Sequence, residues 1–235
     1  MTAAINHRFH IGMPSNNLEA AGVLLHQFDG NEIRDEPWLP CSKDSCADHN
    51  DRWSSTIVNA NARKLYSSGH SGWVLSPSLQ ADGGILCSYA GDGGTQGLRC
   101  NPKVRGGSRE AGCVPGCFVP GHTRRCTFEE PNGCAWAPED LRTMLETHAA
   151  RKDAVNRYNE VVVDTKVVVD GLPHTIEAAF FMVEGGTEVA GSAGYAQRAR
   201  DAVALFRTRF KREPHELPLL SLDLSKAHQP FTEVG

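Results

Sequence analysis

All eight cysteines of this chain fall between residues 41 and 134: Cys41, Cys46, Cys87, Cys100, Cys113, Cys117, Cys126 and Cys134. The chain after Cys134 holds none. An even number of cysteines set among glycine and proline reads as a disulfide framework. Spacing alone does not assign the pairing. Structural zinc is the rival reading, because four residues separate Cys41 from Cys46, three separate Cys113 from Cys117, and His49 and His122 lie nearby. Zinc sites more often use paired C-x2-C knuckles, which this sequence lacks, so bridges are preferred and no metal is expected. The implied compartment is secreted or otherwise oxidising.

The cysteines also mark where the chain is irregular. Residues 80–136 contain twelve glycines and six of the cysteines, with no sustained helical or strand period. Such a stretch buries too little apolar surface to order itself, so cross-links must supply what packing lacks. It reads as a disulfide-stapled loop region inside a single α+β domain spanning residues 1–235. With 235 residues and 40% apolar composition, one sizeable core is available.

The net charge is −4, from 24 basic and 28 acidic residues. No global basic field exists to attract nucleic acid, although a local patch stays open. No run of about 18 apolar residues predicts a membrane span. The start, MTAAINHRFHIGMP, lacks the basic and apolar segments of a signal peptide.

Periodicity supplies the scaffold. Ser15 caps an expected helix to Leu25, with Leu18, Ala21 and Leu25 on one face. Strands are expected at Trp53 to Val58, Gly72 to Leu75 and Ile85 to Tyr89, with a helical turn at Asn61 to Tyr66 between the first two. Pro138 opens a helix whose stripe is Leu141, Met144, Leu145 and His148, with Glu139 and Asp140 favouring its positive end. Two strands follow, Glu160 to Val163 and Thr175 to Val183. A helix from Ser192 to Phe210 and a late-starting strand within Leu217 to Leu224 complete the pattern. Mixed or antiparallel sheets with a few helices are expected, since no regular βαβ alternation occurs.

No nucleophile elbow, phosphate-binding loop or paired-histidine zinc helix is present. Three segments draw attention together. Arg8 to Pro14 (RFHIGMP) leads towards Gly22. Trp53 to Ile57 (WSSTI) carries a hydroxyl triplet on a strand. Tyr158 to Val163 (YNEVVV) leads through Leu172-Pro173 to Ile176 and an aromatic strand. This order resembles the mono-ADP-ribosyltransferases of the cholera-toxin and pierisin kind. In that family a first strand carries an arginine, a second a Ser-Thr-Ser motif, and a third begins with the catalytic glutamate. The resemblance implies Arg8 in the first place, Ser54-Ser55-Thr56 in the second and Glu160 in the third. The triplet here is S-S-T. Tyr158 stands where the family has Glu or Gln, which leaves the acceptor open.

The resemblance implies NAD as substrate. Glu160 would stabilise an oxocarbenium-like ribose as nicotinamide leaves. Ser54 would orient Glu160, and Arg8 would hold the dinucleotide phosphates. His10, Ser55, Tyr66, Trp73 and Tyr158 would complete the NAD site, a strand aromatic such as Tyr66 or Trp73 stacking on nicotinamide. His10 in place of Arg8 would match the histidine-type branch of the same superfamily. The alternative is a binding or structural module without catalysis, its recognition surface presented by the loops of 80–136.

Overall fold

The computed structural model describes residues 1–28, 52–62, 65, 70–90, 136–150, 159–185, 187–188, 194–211, 216–226 and 228–234. Cys87 is the one cysteine among them, so the other seven cysteines of the expected disulfide framework and most of 80–136 lie outside the described residues, as do Tyr66 and Tyr158.

The elements run α1 (Thr2–Ile11), α2 (Leu18–Ala21), β1 (Val23–Gln27), β2 (Arg52–Val58), β3 (Ser71–Leu75), α3 (Ser78–Ala81) and β4 (Ile85–Tyr89). A 3-10 turn at Pro138–Asp140 leads into α4 (Leu141–Ala150), followed by β5 (Glu160–Asp164), α5 (Thr165–Asp170) and β6 (Ile176–Glu184). The chain closes with β7 (Thr187–Glu188), α6 (Tyr195–Phe210), β8 (Leu219–Leu222) and β9 (Phe231–Glu233). The strands form one mixed sheet in the order β4-β5-β2-β1-β3-β6-β8-β9, with β7 folded back on β6. The β6–β8 pair is parallel and the other pairs are antiparallel. This is the α+β architecture expected from the pattern of elements.

The two faces of the sheet are covered unequally. One face carries Leu24, Trp53, Ile57, Trp73, Val161 and Val163, and it packs against α2 to α6 in the main core. Phe206 of α6 lies against Trp73, their ring centroids 5.7 Å apart. The opposite face carries Val23, Leu25, Val58, Val74, Ala178 and Phe180, covered by Ile5 and Phe9 of α1. Both faces bury apolar side chains, which is why β1 and β3 lack clean alternation.

Several expectations need correction. The helix expected over Ser15 to Leu25 is one turn, Leu18–Ala21, capped by Asn17, whose side chain accepts from the Glu19 N–H at 2.8 Å. Gly22, at φ 143°, then turns the chain into β1. Apolar spacing in this stretch satisfies either a helix or a strand buried on both faces, and the sheet claims it. Arg8 stands on a helix, α1, and not on a first strand. Helices α1, α3 and α5 and strands β1, β7 and β9 are additions to the elements expected from the sequence. The strand expected within Leu217 to Leu224 is β8, which starts at Leu219, just past Pro218. The helix placed at Ser192 starts at Tyr195. Gly72 is required where it stands: a Cβ there would sit 1.9 Å from the His26 carbonyl oxygen, inside β1. Among the described residues no helix is long and apolar enough to cross a membrane.

Two asparagines pin strands by standing in for a missing rung. The Asn159 amide accepts from Ile57 N–H at 2.9 Å and donates to Ile57 C=O at 2.8 Å. Asn6 of α1 does the same to Phe231 at the start of β9, accepting at 3.0 Å and donating at 2.7 Å. Both side chains are buried. Removing either amide leaves two buried backbone groups without a partner. Asn159→Ala is therefore expected to lower unfolding free energy by about 2 kcal/mol, read from urea denaturation. A loss within experimental error would show that Ile57 is held by other means.

His70 offers a pH-dependent test. Burial lowers its pKa from the ordinary histidine value. Its Nδ1 is buried without a hydrogen-bond partner, and its ring meets Tyr195 edge-on at 5.1 Å. The unfolded chain then binds the proton more readily, so the stability tied to neutral His70 is present above about pH 6.5 and lost as pH falls through the folded pKa. Urea midpoints should fall between about pH 7.5 and 5.5, and His70→Gln should shrink that fall. An unchanged slope in the variant would remove His70 from the account.

Candidate functional site

The polar site with the strongest physical constraint is built on β4, β5 and β2. In the β2–β5 ladder, Trp53 pairs with Val163, Ser54 with Val162 and Ser55 with Val161. Val161 and Val163 enter the main core. Strand alternation therefore sends Glu160, Val162, Ser54 and Thr56 to the opposite face. Continuing the register by one residue sets Thr56 across from Glu160. Ile57 turns its N–H and C=O towards Asn159, so Thr56 turns its own backbone towards β1. Thr56 and Glu160 are then a non-hydrogen-bonded pair, whose Cα atoms approach to about 4.5 Å.

On the other flank, Tyr89 of β4 pairs directly with Glu160. A bulge at Leu86 makes this possible. Ile85 pairs with Val163 and enters the core, yet Cys87 pairs with Val162 and, with Tyr89, faces the other way. One extra residue reverses the alternation of β4.

Glu160 is thus a nearly buried carboxylate, 4% exposed, between Tyr89 and Thr56. Thr56 is 1% exposed and its Oγ1 has no hydrogen-bond partner. Ser54, two residues away on the same face, is exposed. Gln27 follows on β1, opposite Ser54 when the β1–β2 register is continued, and its Nε2 is buried without a partner. The site therefore runs from an open end at Ser54 to a closed end at Thr56 and Glu160. Among the described residues, the apolar side chains of α2 to α6 pack on the other face and those of α1 over the far half of this one.

The residues singled out from the sequence divide accordingly. Glu160 and Ser54 come together on adjacent strands and one face. Ser55 pairs with Val161 and points into the main core, so it cannot reach the Glu160 face. Trp73 is wholly buried in that core, edge-on to Phe28 at 5.2 Å, and presents no face for stacking. Arg8 lies on α1 and makes a two-pronged ion pair with Glu177 of β6, Nη1 donating to Oε1 at 2.9 Å and Nη2 to Oε2. Glu177 and Glu160 are four strand spacings apart in the sheet order, roughly 19 Å. His10 is exposed on α1, with its ring 5.7 Å from that of His228. Arg8 and His10 are therefore not brought to Glu160.

Sequence reading missed Thr56 as the direct neighbour, and it missed Tyr89 and Gln27. Thr56 was in view only as the third member of a triplet. Its place opposite Glu160 depends on register, and Tyr89 depends on the bulge, neither of which leaves a mark in one sequence.

A cavity of about 430 Å³ lies elsewhere, lined by Ser76, His174, Glu177, Phe206, Glu216 and Leu217 among others. Both Glu177 oxygens are engaged by Arg8. Among the described residues, no group of three or more His, Cys, Asp or Glu side chains is placed to hold a metal ion.

The Arg8–Glu177 pair gives a clear expectation. Its side chains are 8% and 20% exposed, so losing one partner strands the other. Glu177→Ala should cost about 3 kcal/mol in unfolding free energy, while the double change Arg8→Met, Glu177→Ala should recover part of it. Equal losses in the single and double variants would contradict a coupled pair. No family model, no curated protein and no solved structure matches this chain, so what it does has to be read from its own side chains.

Proposed function

We propose that the chain is an ADP-ribosyltransferase- or NAD glycohydrolase-like enzyme of the secreted type, with Glu160 as its catalytic carboxylate. The observation that carries this reading is a nearly buried glutamate opening β5, on the same face as Ser54 and Thr56 of the adjoining strand. The residue order that resembles the ADP-ribosyltransferases supports it from the sequence side.

In this reaction the bond between the nicotinamide nitrogen and ribose C1′ breaks, and its electron pair leaves with nicotinamide. Positive charge develops on the ribose, and a carboxylate held beside it in a water-poor site stabilises that charge. Water or the hydroxyl, amine or guanidine of an acceptor then bonds to C1′ and loses a proton. Exposed Ser54 marks the side from which substrate enters. Arg8 is spent on Glu177 and anchors α1 to the sheet, so this reading gives it no role at the phosphates.

Glu160→Gln keeps the shape and removes the charge. Nicotinamide release from NAD should fall by about 100-fold or more, with KM changed much less. NAD binding measured by calorimetry accompanies the assay, because a transferase waiting for its acceptor hydrolyses slowly. Wild-type protein that neither binds nor cleaves NAD, or a variant as active as wild type, would sink the proposal.

The oxidising compartment is proposed on the cysteine framework. Alkylation of the unfolded protein without reductant should modify almost none of its eight cysteines, and prior reduction should expose them all, as read by mass. Full alkylation without reductant would end the disulfide reading.

A further inference from the structure

We infer that the hydroxyl which seats a ligand beside Glu160 is that of Thr56, and that the group it receives is a sugar hydroxyl, with Gln27 as a second contact. This rests on the reading of the Glu160 face as the substrate site, but it departs from the resemblance, which gives the orienting role to Ser54. Ser54 is the wrong hydroxyl on geometric grounds. It pairs with Val162, two residues along β5 from Glu160, and is exposed. Thr56 stands directly across from Glu160 and is buried.

On this face, Thr56 Oγ1 and Gln27 Nε2 are buried and make no hydrogen bond within the protein. A buried hydroxyl without a partner is unfavourable, and native structures rarely keep one without a use. The three groups offer complementary chemistry. Glu160 accepts, Gln27 Nε2 donates, and Thr56 Oγ1 does either. A ligand hydroxyl bonded to Glu160 must donate, and its remaining lone pairs must then accept, from Thr56. A second hydroxyl on the neighbouring carbon can accept from Gln27. Adjacent hydroxyls of a pentose meet that demand. A carboxylate or phosphate does not, because it would set negative charge against Glu160.

ADP-ribose is the probe, since it carries a ribose with a free anomeric carbon and undergoes no cleavage of a nicotinamide bond. ADP, which lacks that second ribose, is the control. Binding is measured by calorimetry on the full chain with Thr56→Val, which keeps the shape without the hydroxyl, and Thr56→Ser, which keeps the hydroxyl. Thr56→Val should bind ADP-ribose about tenfold more weakly than wild type, and Thr56→Ser should stay within about threefold. ADP should bind more weakly than ADP-ribose and show no dependence on residue 56.

The urea midpoint of Thr56→Val should equal or exceed that of wild type, because the hydroxyl it removes makes no bond in the protein. A lower midpoint would mean that the hydroxyl serves folding, against the inference. No binding of ADP-ribose by wild type, equal binding by Thr56→Val, or a Thr56→Ser as weak as Thr56→Val would overturn it. Equal dependence of ADP on residue 56 would do the same. Thr56-dependent binding without any cleavage of NAD by wild type would support this site while removing the catalytic reading.

Discussion

The pairing of β2 with β5 sets everything else at the Glu160 site. Antiparallel strands commit each side chain to one face, and a slip of one residue would exchange the faces. Glu160 would then enter the core among Trp53, Ile57 and Trp73, where an ionised carboxylate is costly, and Val161 and Val163 would leave it. The register is held from both ends of that cost. Val161 and Val163 bury themselves on one side, and Asn159 clasps Ile57 just before the ladder begins. The clasp matters because β5 starts at Glu160. With it, the first residue of the strand is placed as firmly as an interior one.

The other half of the sheet is organised around α1. Its apolar residues Ile5 and Phe9 cover the face formed by β1, β3, β6 and β8, and its polar residues lock the contact. Asn6 takes the backbone of Phe231, and Arg8 takes both oxygens of Glu177. A helix held by apolar contact alone could slide along the sheet. One held by an amide clasp and a two-pronged ion pair is fixed in rotation and translation. The same face is thus divided. Over β1, β3, β6, β8 and β9 it is sealed by α1, and over β4, β5 and β2 it carries the polar row of Tyr89, Glu160 and Thr56, with Ser54 and Gln27 beside it.

Much of the scaffold was readable from local pattern. Strands β2, β3, β4, β5 and β6 lie close to where apolar periodicity puts them, as does the long helix ending at Phe210. The failures have a common cause. Residues 18–25 have apolar spacing that suits a helix as well as a strand buried on both faces, and the sheet decided between them. The family resemblance puts Arg8 on a strand, whereas the run from Thr2 to Ile11 around it forms a helix. Ser55 and Trp73 looked available because strand alternation says which residues share a face, but not which face is the core.

The sequence by itself determined that this chain has a core large enough for one α+β domain and that its cysteines gather in one stretch. It also determined that a glutamate and a run of hydroxyl residues sit on strands. These follow from composition and from periods of a few residues, which are local properties. Only the tertiary structure decided that the hydroxyl strand and the glutamate strand are neighbours. It also decided that Thr56 rather than Ser54 faces Glu160, that a bulge turns Tyr89 towards the same carboxylate, and that Arg8 belongs to Glu177. Each of those depends on register and on pairing between residues about 70 to 170 positions apart in the chain, and the free energy that selects a register comes from burial across the whole sheet.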